Sequence, residues 1–168
     1  MDRLWATWRM AYITGEYKNT DCVFCNAPKN TKDEEVLILH RGCHCFIIMN
    51  LFPYNNGHVM VIPYRHTSDV TTLTDEESLE MMKFTRLMTK VMKNTLNPEG
   101  FNIGMNVGRS GGAGIADHLH MHIVPRWTGD TNFMPVVGET RVLSEHLEAT
   151  YKKLYTALQE EFKNDKNI

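Results

Sequence analysis

The chain has 168 residues, of which 42% are hydrophobic and 23% charged, with a formal net charge of -2 and a pI near 6.4. That length and composition fit a single domain spanning 1–168, with enough apolar material for a real core. The balance argues against a protein that coats duplex nucleic acid, which would present a basic face, but not against a mononucleotide held by a few local donors.

The N-terminus, Met1-Asp2-Arg3-Leu4-Trp5, has no apolar signal-like run, and no stretch is long and apolar enough to span a bilayer. The expectation is a cytoplasmic protein with no membrane partner. Four cysteines fit that compartment if they are reduced or bound to metal. Residues 1–20, with Trp5, Trp8, Tyr12 and Tyr17, read as an arm lying on something apolar. Val36 to His40 and Cys45 to Met49 are short apolar runs joined through Arg41-Gly42, the pattern of a hairpin. Asn55-Asn56-Gly57 is a turn, and Val59 to Ile62 a strand that Pro63 ends.

Thr74 to Leu96 is the clearest helix. Thr74 and Glu77 have capping-box spacing, and Met81, Phe84, Met88, Val91, Met92 and Thr95 recur on one face. Asn97-Pro98-Glu99-Gly100 stops it. Phe101, Ile103, Met105 and Val107 alternate as in a strand, and Gly108 to Gly114, with four glycines in seven residues, is a loop. His118 to Pro125 is a further strand. Leu143, Leu147, Tyr151, Leu154, Leu158 and Phe162 mark a C-terminal amphipathic helix over 140–163. Short strands, hairpin turns and two separated helices predict an α+β fold with a mainly antiparallel sheet of about five strands.

The informative stretch is His118-Leu119-His120-Met121-His122-Ile123-Val124. Period-two alternation puts the three imidazoles on one face and Leu119, Met121 and Ile123 toward the core. Three histidines on one face are expensive to bury without partners. The face is then a solvated polar one, a metal site built from three rings, or a site where one ring is a nucleophile assisted by its neighbours. The preceding loop favours the last reading. Its glycine-rich backbone can turn N–H groups toward phosphate oxygens, and Asn106, Arg109 and Ser110 add side-chain donors.

These residues resemble the histidine triad family, in which His-X-His-X-His is followed by two apolar residues and every X is apolar. Asn50, Gly57-His58-Val59-Met60-Val61-Ile62-Pro63 and His66 are similar to that family's nucleoside-binding half. Leu4 to Met10, Asn50 to Asn55, Asp117 to His120 and Pro125-Arg126-Trp127 are closer still to its bacterial members that split diadenosine tetraphosphate. The resemblance implies the family's fold, with the sheet extended across a homodimer. It implies attack by the middle histidine, His120, on an α-phosphorus, with His122 on the phosphate and His58 supporting from a neighbouring strand. Asn50 takes the place near the ribose hydroxyls. Asn106, Arg109, Ser110, Gly111, Gly112, Ala113, Gly114 and Trp127 are candidate nucleotide or phosphate contacts. His58 also reads as a satisfied core histidine, Asn50 as a strand-end turn residue and Arg109 as a solvated loop cation. Gly114 departs from the phosphorylase pattern, which has serine or another side-chain donor there.

Cys22-Val23-Phe24-Cys25 is a Cys-X-X-Cys pair, which serves zinc or redox chemistry. The βαβ context of a thioredoxin is missing, and thiolates prefer soft or borderline metals. Several zinc-bearing members of the family use such a pair with a histidine at His66 and the first triad histidine, His118. A structural zinc on Cys22, Cys25, His66 and His118 is therefore expected; the alternative is two free cysteines. Cys43 and Cys45, flanking His44, read as core or edge residues.

The expected activity is cleavage of a phosphoanhydride in an AMP-containing dinucleoside polyphosphate through a nucleotidyl-histidine intermediate. Diadenosine tetraphosphate with inorganic phosphate, giving ATP and ADP, is the leading reaction. An adenosine phosphoramidase, an asymmetric hydrolase and a non-catalytic nucleotide-binding module are the alternatives, and the intact His120 and His122 count against the last.

Overall fold

The computed structural model describes residues 22–130 and 145–164. The expected aromatic arm at 1–20, and Leu143 with the 140–144 start of the C-terminal helix, lie outside the described residues. The elements run α1 (Val23–Asn26), α2 (Asp33–Val36), β1 (Ile38–Arg41), β2 (Cys45–Met49), β3 (Val59–Pro63), α3 (Asp75–Leu96), β4 (Gly100–Met105), β5 (Met121–Arg126) and α4 (Leu147–Asn164). The five strands form one sheet in the order β1-β2-β3-β5-β4, and every neighbouring pair is antiparallel. This is the expected α+β architecture with two main helices. None of the described helices is long and apolar enough to cross a membrane.

The long helix forms where its sequence signals place it. Thr74 accepts the N–H of Glu77 while the Glu77 carboxylate accepts the N–H of Thr74, so the capping box closes in both directions. Glu77 also takes the Arg65 guanidinium through both oxygens, at 2.9 and 2.6 Å. Asn97 ends the helix in the left-handed region at φ 49°. Met81, Phe84, Met88, Val91 and Met92 are buried as the periodicity requires, and pack with Leu154 and Leu158 of α4 on one face of the sheet. Leu39, Ile47, Met49, Val59, Val61 and Ile123 supply the sheet's half of that core. The opposite face carries a smaller apolar cluster of Phe24, Ile38, Phe46, Ile48, Met60 and Ile62.

Two boundaries differ from the sequence expectation. The first strand begins at Ile38, because Asp33-Glu34-Glu35 place acidic residues in the first turn of α2, where the helix dipole favours them. Leu37, left-handed at φ 62°, then turns the chain into β1. The histidine strand enters the ladder only at Met121, since the N–H of Leu119 goes to Thr67 O at 2.7 Å. The C-terminal helix is described from Leu147 to Asn164. At Gly57, φ is +76°, a backbone that favours glycine before His58, and a Cβ there would displace the end of the Leu96 side chain.

Candidate active site

Register sets the site. In the β3–β5 ladder Met60 faces His122, and in the β4–β5 ladder Gly104 faces His122. Alternation places His58, Met60 and His122 on the face away from α3 and α4, while Met121 and Ile123 turn toward the helices. His58, His118, His120 and His122 are all buried. Four imidazoles withdrawn from water require partners, and the partners define the tautomers.

His120 directs Nδ1 to the carbonyl oxygen of His118, at 2.8 Å. A carbonyl only accepts, so Nδ1 carries the proton and Nε2 keeps its lone pair. Burial lowers the His120 pKa below its ordinary value, opposed in part by that carbonyl bond, so the ring is held neutral. A neutral imidazole with one nitrogen anchored and the other presenting a lone pair is a positioned nucleophile. Phe24 packs on this ring with centroids 5.0 Å apart, and His122 lies 4.7 Å away edge-on.

His122 is set by a second chain of donors. The Tyr54 backbone N–H donates to His58 Nδ1 at 3.1 Å, and the Asn50 side-chain amide reaches the same nitrogen at 3.3 Å while its oxygen accepts the N–H of Phe52. His58 Nδ1 is therefore an acceptor and the proton sits on Nε2, which donates to His122 Nδ1 at 2.9 Å. His122 in turn carries its proton on Nε2, a buried atom with no partner among the described residues. Burial, with a smaller contribution from neighbouring His120, lowers the His122 pKa to about 4, so the ring is a neutral donor at physiological pH. A buried, unpartnered N–H beside a nucleophile suits a phosphoryl oxygen.

His118 makes its polar contacts elsewhere, while Phe24 packs against both its ring and that of His120. His118 Nε2 donates to Pro63 O at 2.8 Å, and its Nδ1 lone pair lies 3.3 Å from Cys22 Sγ and 3.6 Å from Cys25 Sγ. His66 Nδ1 lies 3.3 Å from Cys25 Sγ. The four ligand atoms of Cys22, Cys25, His66 and His118 fall within 4.8 Å of one another. Two thiols and two imidazole nitrogens converging on one point, with a carbonyl fixing one imidazole, match a tetrahedral zinc shell and its outer support.

The 106–114 loop leaves β4 where Met105 faces Met121, so Asn106 starts beside the His120–His122 segment. Arg109 and Ser110 are exposed. Three of the loop's N–H groups close its own turn, Gly111 to Gly108 O, Gly112 to Arg109 O and Ala113 to Gly108 O. Trp127 follows the far end of β5, about 20 Å along the strand from His120, and its indole N–H donates to Asn97 O. Within one chain it does not share the histidine site. Two groups escaped the sequence reading. Phe24 was hidden inside the Cys-X-X-Cys pair, where its apolar character between two candidate ligands was the available signal. The Tyr54 N–H is a backbone group, which leaves no mark in a sequence.

Comparison with known proteins agrees with this fold. The model of the HIT domain matches residues 31–129. The chain is 41% identical over 163 residues to the "AP-4-A phosphorylase" of Mycobacterium tuberculosis, covering 93% of this chain and 84% of that protein. It is 29% identical over 105 residues to an adenosine 5'-monophosphoramidase of Schizosaccharomyces pombe, covering 62% and 74% of the two chains. The fold superposes on a Zn-bound histidine triad family protein from Mycobacterium smegmatis with a TM-score of 0.70 at 24% identity, covering 86% of this chain and 98% of that one.

Proposed function

The chain belongs to the HIT family, and from that premise we propose that it is a nucleotide-cleaving enzyme that splits diadenosine tetraphosphate by phosphorolysis, giving ATP and ADP. The observation that carries the proposal is the His120 Nδ1 bond to His118 O, which leaves Nε2 as the attacking atom. In the first step the Nε2 lone pair forms a bond to the α-phosphorus, and the bond from that phosphorus to the bridging oxygen breaks, releasing ATP. The Nε2–H of His122 donates to a phosphoryl oxygen as charge builds there. In the second step an oxygen of inorganic phosphate attacks the nucleotidyl-His120 phosphorus, the P–N bond breaks and ADP leaves. Splitting one difficult displacement into two is the value of the covalent intermediate.

Phosphate must be held near the intermediate to outcompete water, and positioning supplies that advantage. Asn106, Arg109, Ser110 and the 111–114 backbone are the candidate holders. Asn50, bound to His58 through its amide, is the candidate contact to the ribose hydroxyls. The phosphorylase choice draws on the 41% identity to the mycobacterial enzyme.

Cys22, Cys25, His66 and His118 would hold a zinc ion. When bound, zinc joins the α1 segment to the histidine strand and fixes the His118 backbone whose carbonyl orients His120. Thiolates available for zinc fit a reducing compartment such as the cytoplasm. A homodimer fits the sheet. The edge strand β4 carries Ile103 at 47% exposure, lining one groove with Met82 of α3 at 51%, an apolar edge suited to a second copy.

The test supplies radiolabelled inorganic phosphate with diadenosine tetraphosphate. Label is expected in ADP, with ATP unlabelled. AMP and ATP as products, with a rate indifferent to phosphate, would make the enzyme a hydrolase.

A further inference from the structure

The β2–β3 loop that supplies the donors to His58 is tied down at a point remote from the histidines. Asn55 Nδ2 donates to Asp130 Oδ2 at 2.8 Å and to Pro125 O at 3.1 Å. The Asp130 carboxylate also accepts Arg126 Nε at 2.6 Å, Arg126 Nη2 at 2.7 Å and the Trp127 N–H at 3.1 Å. Arg126 Nη1 reaches on to Asn102 Oδ1 of β4 at 2.6 Å. One carboxylate thus gathers the end of β5, the edge strand and the loop. Its side chain is only 8% exposed, and the Arg126 guanidinium, with help from Trp127 and Asn55, holds its pKa at about 2.

The tie leads to the chemistry within two residues. Asn55 O accepts the His58 backbone N–H at 3.2 Å. The preceding residue, Tyr54, puts its N–H on His58 Nδ1 and packs its ring 4.6 Å from His58 and 5.5 Å from His122. A shift of Asn55 therefore moves the donor that decides which nitrogen of His58, and hence of His122, bears the proton. With the Arg126 side chain 39% exposed, this ion pair is open to solvent on one side and contributes little to stability. Its bond directions suit it to fixing one placement of the loop.

We propose that Asp130, acting through Asn55, is a positioning residue that locks the Tyr54–His58–His122 donor chain in the tautomer that presents the His122 Nε2–H. This rests on the nucleotidyl-transfer reading for its functional meaning, but the tautomer itself is a property of the substrate-free protein. The loop has a second anchor where the Asn56 side-chain amide lies 3.2 Å from Thr150 Oγ1, whose own proton goes to Glu145 Oε2 at 2.8 Å, so cutting the Asp130 link displaces the loop without releasing it.

The experiment compares Asn55→Ala, Asp130→Ala and the double variant in the full chain, by ¹⁵N imidazole spectra without substrate and by steady-state turnover of diadenosine tetraphosphate. The wild type is expected to show His122 as a single Nε2–H tautomer. Each single variant should move the His58 and His122 nitrogens toward tautomer averaging. Turnover number should fall about ten- to a hundredfold with KM changed less than about threefold, the size expected from misplacement of a catalytic group by around an ångström. The double variant should be no worse than the more damaged single variant. Unchanged imidazole spectra beside a lower Tm would overturn the proposal by showing a structural role only. Additive losses in the double variant would overturn it too, placing the effect of Asp130 on Arg126 rather than Asn55. If Asp130→Ala does not fold, the Asn55→Ala spectrum decides. If the spectra shift as expected but no nucleotide is turned over by the wild type, the functional reading fails and the positioning role stands.

Discussion

Replacing His58 by Phe isolates the donor chain from the nucleophile. His58 is fully buried, and the phenyl ring is close to its shape, so the variant leaves little cavity. It does strip three groups of their partner: the Tyr54 N–H, one Asn50 amide hydrogen and His122 Nδ1. An orphaned buried polar group costs about 1–3 kcal/mol, and the Asn50 site is only part-buried, so roughly 2–5 kcal/mol of stability should be lost. The functional loss has a separate origin. Without the His58 donor, His122 is free to carry its proton on Nδ1 and turn an Nε2 lone pair toward the phosphate, exchanging attraction for repulsion. Removing one donor of this kind costs about 10²–10³ in turnover. The assay is urea unfolding beside steady-state cleavage of diadenosine tetraphosphate at a temperature where the variant remains folded. Wild-type stability together with turnover within about threefold of wild type would refute the reasoning.

Protein purified without chelator should carry about one zinc per chain, and Cys22→Ser should lower both zinc content and Tm; a well-folded wild type with no metal would contradict the site. His122 bears on acid stability. Its folded pKa of about 4 lies below the ordinary 6.5, so the unfolded chain binds the extra proton between those values and stability falls as pH drops through that window. His122→Gln should flatten the Tm-against-pH curve between pH 6.5 and 4 relative to wild type, and parallel curves would exclude that linkage. Sedimentation at micromolar concentration should show a dimer for the wild type and a monomer for Ile103→Arg, which puts a charge on the exposed β4 edge; a wild-type monomer would remove the β4 interface from the account.

The parts legible in the sequence were those set by local rules. The Thr74–Glu77 box and the helical face from Met81 to Met92 follow from helical spacing, and the structure reproduces them. The grouping of Cys22, Cys25, His66 and His118 came with the family resemblance, and the structure brings those ligand atoms together. What escaped depends on long-range partners. The alternation runs on to His118 while the ladder starts at Met121, because Leu119 bonds to Thr67, outside the sheet, which no period reveals. Val36 has the apolar character of a strand residue, but the three acidic residues before it start a helix turn that takes it in. Asp130 acquires its role only when folding brings Asn55, 75 residues away, onto its carboxylate. The tautomer of His122 depends on a backbone N–H that every residue but proline carries.

The most direct test of the account is to trap the covalent intermediate. Enzyme mixed with diadenosine tetraphosphate labelled at the α-phosphorus, without inorganic phosphate, is quenched in alkali, where phosphoramidates survive, then digested and mapped. The account predicts label on the peptide that contains His120, its release as ADP when phosphate is added before the quench, and its loss in His120→Ala, which should still fold and bind nucleotide. Label absent from the wild type under single-turnover conditions, or retained in full by His120→Ala, would contradict it.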